Sequence, residues 1–174
     1  MMRKQPGVLS VLAVLVIATG LSVWWIGSTA NSDRLWFLRT FTARADWISV
    51  YWDGETYMLF PEDPAYEAIM ATFSDCVAHW VNYEGEAHLT DATLENYRAT
   101  GRLLELHYNK SVQVHTRHLY PRARCFFVPL AGTDAHTRRV FAGWDDTPYE
   151  VALNISEARF ARLVAAVEQA VPGE

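Results

Sequence analysis

An α+β domain behind an N-terminal membrane-spanning helix is the architecture this sequence predicts, and three observations carry it. Residues 8–26 are almost wholly apolar. Runs scattered between residues 47 and 154 alternate β-branched or aromatic residues with polar ones, at the period of two that marks strands. Two further stretches, near 64–81 and 157–171, repeat apolar residues at the three-and-four spacing of a helical face. Strands joined by short turns form an antiparallel sheet, here of about six or seven strands with helices packed on one face.

The apolar run carries no charge between Lys4 and Asp33. At ~1.5 Å per helical residue it is long enough for a ~30 Å hydrocarbon core. Arg3 and Lys4 precede it and the anionic Asp33 follows, so the positive-inside rule puts the N-terminus in the cytoplasm and the domain outside a cell membrane crossed once. Trp24 and Trp25 close the run at the depth amphipathic rings prefer, and Trp36 continues that interface. A signal peptide has an apolar core of only ~7–15 residues, and Ser28-Thr29-Ala30 would make a poor cleavage site, so a retained signal-anchor is favoured over a cleaved leader. The chain divides into a cytoplasmic tip and anchor (residues 1–31), a juxtamembrane segment (32–45) and an extracytoplasmic domain (46–174).

In the juxtamembrane segment Ser32 or Asp33 is placed to cap a short helix, with Leu35, Trp36, Leu38 and Phe41 set among Arg34, Arg39 and Arg44. Such a segment lies on the bilayer surface, or else it is the first element packing on the domain's own core. Asp53-Gly54 between two alternating runs predicts a hairpin of strands near 47–52 and 55–60, since both turn residues must take positive φ. A helix begins with Asp63 as N-cap and Pro64 at its first position, and buries Tyr66, Ile69, Met70, Phe73, Val77, Trp80 and Val81. Residues 84–88 read as a loop. Thr90 or Asp91 caps a shorter helix that Gly101 ends in a left-handed conformation. The runs LLELHY, VQVHT, RCFFVPL, RRVFAGW and YEVALN then form a meander. Asn154 or Ser156 caps a last helix with Phe160, Leu163, Val164, Val167 and Val171 on its buried stripe.

Composition narrows the function classes. Only Arg3 and Lys4 of the 15 basic residues precede the anchor, and all 20 acidic residues follow it, leaving the exported part at about −7 with histidine neutral. That balance argues against nucleic acid as a partner, because such binding rests on a basic surface. The two cysteines, Cys76 and Cys125, face an oxidising compartment where a disulfide between helix and strand would persist; two buried thiols are the alternative. His107, His115 and His118 form the densest histidine region, but no cysteine or acid stands beside them at ligand spacing, so no metal site is expected. His107 is expected on the outward face of its strand.

His115, Arg117, His118, Arg122 and Arg124, joined by Arg138 and Arg139 through a hairpin at Gly132 and Asp134, would make a cationic patch for an anionic ligand or acidic partner. Asp145 and Asp146 read as turn residues. The chain has no phosphate-binding glycine loop, no dinucleotide motif, no nucleophile elbow and no zinc-protease helix, so no catalytic residue and no cofactor is assigned. The expectation is a membrane-anchored, non-catalytic domain that binds a partner protein or small ligand at the cell envelope. The rivals are an exported hydrolase using His107 or His115 with a carboxylate, and a structural subunit of a membrane assembly.

Overall fold

The computed structural model describes residues 7–30, 33–35, 37–116 and 120–171. Val8–Ala30 form helix α1, apolar on every side, with no residue buried against the rest of the protein. A helix with no polar face is built for a lipid or a protein interior, and α1 is long and apolar enough to cross a membrane.

The segment that follows is not helical among its described residues. Asp33 spends its carboxylate elsewhere: Oδ1 accepts from the Leu35 amide at 2.9 Å, closing a turn, and Oδ2 lies 2.8 Å from His115 Nδ1. Leu35, Phe37 and Leu38 are exposed, whereas Phe41 is buried and meets Phe73, Tyr108 and Phe126 edge-on. The segment therefore ends as a piece of the domain core.

Strands β1 (Trp47–Trp52) and β2 (Glu55–Leu59) form the expected hairpin, with φ of 50° at Asp53 and 92° at Gly54. Helix α2 (Pro64–Ala78) follows. Asp63 makes no side-chain cap to it; its carboxylate instead accepts from the Phe60 amide at 2.7 Å and fixes the turn before the helix. Next come β3 (Asn82–Glu84) and α3 (Asp91–Thr100), the latter capped by Thr90 Oγ1 accepting from the Thr93 amide at 3.2 Å. Gly101 ends α3 with extended rather than left-handed backbone; it is needed for space, since a Cβ there would sit 2.8 Å from the Tyr97 ring. The chain closes with β4 (Arg102–Val112), β5 (Ala123–Pro129), the short α4 (Gly132–Thr137), β6 (Arg139–Trp144), β7 (Thr147–Asn154) and α5 (Glu157–Ala170). The run VQVHT adds only its first residue to β4, and α4 replaces the hairpin expected at Gly132.

All pairings are antiparallel, in the order β2-β1-β4-β5-β6-β7-β3. Because side chains alternate across a strand, Leu104, Leu106, Phe126 and Val128 join Ile69, Phe73, Leu163 and Val167 under α2 and α5. Leu103, Cys125, Phe127 and Phe141 join Leu94 and Tyr97 of α3 on the other face. The two long helices thus share one face as expected, and α3 adds a partial cover to the second. Asp75 ties α2 to α5 through Arg159 at 3.0 Å and Arg162 at 2.7 Å. Strand β3 covers only Ala152 to Asn154 of the outer side of β7, leaving the stretch with Pro148 and Glu150 at the sheet margin.

Of the two states open to Cys76 and Cys125, the structure has the unbridged one. Cys76 and Cys125 are both buried free thiols, and they lie in the separate clusters on opposite faces of the sheet. The reason is the strand period: Phe126 points towards α2, so its neighbour Cys125 must point away. Burial pushes the Cys76 thiol up to about 12.

Candidate functional site

The face beneath α3 holds the chemistry. Glu105 and His107, two residues apart on β4, point to that side together. Cross-strand register sets Cys125 of β5 opposite His107 on one flank and Trp47 of β1 opposite it on the other. Trp47 stacks flat on the imidazole, with ring centroids 4.7 Å apart and planes 7° from parallel. His107 Nε2 lies 3.1 Å from Glu105 Oε2, and Cys125 Sγ lies 3.6 Å from His107 Nδ1. Arg98 of α3 donates from Nε to Glu105 Oε1 at 2.7 Å and from a terminal nitrogen to Asp146 Oδ1 at 3.3 Å.

The Glu105 side chain is 1% exposed and Cys125 is wholly buried. A buried carboxylate costs several kcal/mol unless its oxygens are matched, and here each oxygen has a partner. Burial works against the Arg98 charge, yet the hydrogen bond and charge of Glu105 hold its pKa above the ordinary value. A carboxylate can only accept, so the neutral imidazole that satisfies this network carries its proton on Nε2 and turns the Nδ1 lone pair to the thiol. Burial first, and the Glu105 charge second, push the Cys125 thiol far up. That is the reverse of an activated nucleophile, which needs a lowered pKa and some exposure.

A cavity of about 250 Å³ opens beside the imidazole, lined by Trp47, His107, Tyr108, Asn109, Arg124, Asp145 and Asp146. Arg124 donates to the Asn109 carbonyl at 2.7 Å, lies 3.4 Å from Asp145 and packs over the Trp144 ring. Asp145, at φ 53°, makes the β6–β7 turn as expected and with Asp146 forms the acidic rim. The space suits a small polar ligand, since drug-sized pockets start at roughly 300 Å³.

Among the described residues, the cationic side chains singled out in the sequence are held by different partners at different places. His115 is held by Asp33, and Arg122 is exposed, its carbonyl accepting from the Tyr149 hydroxyl at 3.2 Å. Arg117, His118 and Trp36 lie outside the described residues. Arg138 takes a left-handed conformation to end α4, and Arg139 grips both oxygens of Glu84 at 2.6 and 2.9 Å. Cys125 pairs with Gly143, so Arg124 sits by Trp144 while Arg139 lies at the far end of β6, some ~17 Å away at ~3.4 Å per residue. Trp24 donates to the Arg34 carbonyl at 3.2 Å, and Trp25 is exposed.

Sequence reasoning does not find Glu105, Cys125, Trp47 and Arg98 as a site, and it sets His107 outward. The imidazole does point away from the long helices, but Trp47 leaves its side chain only 13% exposed. One signal is present: Glu105 interrupts the buried apolar run Leu103, Leu104, Leu106 at a position whose neighbours, Leu103 and Phe127, are core. No family model, curated protein or solved structure matches the chain.

Proposed function

We propose that this chain is a single-pass membrane protein, N-terminus in the cytoplasm, whose α+β domain stands outside and binds a small polar ligand or a partner's side chain without catalysing a reaction. The observation that carries the anchor is α1 itself, a 23-residue helix with no buried residue. Arg3 and Lys4 ahead of it and Asp33 behind supply the orientation. The ligand site is the polar cavity at His107 and Arg124. Acid–base catalysis by His107 with Glu105 draws support from their 3.1 Å contact. The thiol beside the ring is buried and does not serve as a nucleophile.

Expression of the full chain, separation of membrane from soluble material, intact mass and proteolysis from the outer side test the reading. Uncleaved protein of 19.8 kDa in the membrane fraction, with the domain digested from outside, is the expected result. A soluble chain beginning near residue 31 would overturn the anchor.

A further inference from the structure

We propose that Cys125 Sγ and His107 Nδ1 bind a single thiophilic divalent cation, with zinc the best fit, while Glu105 holds the imidazole from its other side. One donor atom from each of the three residues lies within 4.8 Å of the other two. The 3.6 Å between sulfur and Nδ1 is the telling distance. With ligand bonds of about 2.3 Å to sulfur and 2.05 Å to nitrogen, that separation closes an angle of about 110° at the metal, the tetrahedral value.

The residue behind the ring supplies what such sites need. A metal-binding histidine donates its other N–H to a carboxylate, which fixes tautomer and orientation. Glu105 does this at 3.1 Å, is itself fixed by Arg98, and is too deeply buried to turn to solvent. Trp47 clamps the ring plane. Binding replaces the thiol proton: the S–H bond breaks, the proton leaves to solvent, and the sulfur lone pair forms the bond to the cation. The remaining coordination positions fall to water from the cavity that His107 lines. Sulfur and imidazole together select zinc over magnesium or calcium, which prefer oxygen.

The proposal rests on the reading of this face as the ligand site and is independent of the anchor. Its test is titration of the metal-free full chain in detergent micelles, with Co²⁺ and then Zn²⁺. We expect one equivalent of cobalt to give a near-ultraviolet thiolate-to-cobalt band that zinc abolishes. Cys76→Ala keeps the band; Cys125→Ser and His107→Gln each lose it while near-ultraviolet circular dichroism reports an intact fold. Glu105→Gln keeps the band with affinity reduced about 10–100-fold. No band in the parent protein, a band surviving Cys125→Ser, or one lost in Cys76→Ala would overturn the site, and unchanged affinity in Glu105→Gln would overturn the role of Glu105. Should Cys125→Ser fail to fold, His107→Gln decides the same point. Failure here leaves the membrane fractionation result standing, so the two readings separate.

Discussion

The two faces of the sheet are written by the same strands in alternate letters, yet they differ in kind. Under α2 and α5 lie Phe41, Phe73, Phe126, Ile69, Leu104 and Leu106, apolar and closely packed. Under α3 the same strands set Glu105, His107 and Cys125 among a smaller apolar cluster. The first face removes hydrocarbon from water and holds the fold. The second holds a buried carboxylate, whose cost is offset by contacts from Arg98 and His107.

Substitutions on the two faces should therefore differ in character. The largest effect is expected from Phe126→Ala, which empties the aromatic cluster with Phe41, Phe73 and Tyr108. A loss of about 3–5 kcal/mol in urea unfolding is expected, and a loss below about 1 kcal/mol would show that this face is not the main store of stability. Arg98→Met, on the other face, leaves Glu105 buried without its guanidinium and should cost about 3 kcal/mol. Adding Glu105→Leu to it should restore most of that loss, because the cost is the orphaned charge rather than missing packing. Destabilisation that deepens in the double variant would mean the pair itself holds the fold.

The smallest effect concerns the Glu84–Arg139 pair between β3 and β6. The hydrogen bond from Arg139 holds the Glu84 carboxyl below its ordinary range, so the pair contributes stability above that range and loses it as pH falls through the lowered value. Glu84→Gln should lower stability at neutral pH by less than about 1 kcal/mol, as the pair is partly exposed, and should flatten the acid limb of the stability curve. An acid limb as steep as the parent's would assign that limb to other carboxylates.

Features written in nearby residues were legible. Asp53-Gly54, Pro64 with its apolar stripe and the individual strands of β4 to β7 each show in residues a few apart in sequence. Strand β3 was not, since three residues, Asn82 to Glu84, are too few to show a period, and their pairing with β7 comes from about seventy positions away. The site was hidden for the same reason. His107 and Cys125 are neighbours only through the register of β4 on β5, and the offset between His107 and Val112 in that pair cannot be counted from composition. The face period does place Glu105 beside His107, and a glutamate inside the run Leu103 to Leu106 is the local sign of a buried polar site.

The margin of β7 has a consequence for the membrane-anchored chain proposed above. Membrane proteins meet one another in two dimensions, all upright, so that a bare strand margin on one copy is repeatedly presented to its neighbours at matching height. Past the three residues that β3 shields, β7 offers Pro148, which has no N–H to give, and the charge of Glu150. A neighbour seeking to extend the sheet past β3 meets a proline and a charge rather than a free ladder.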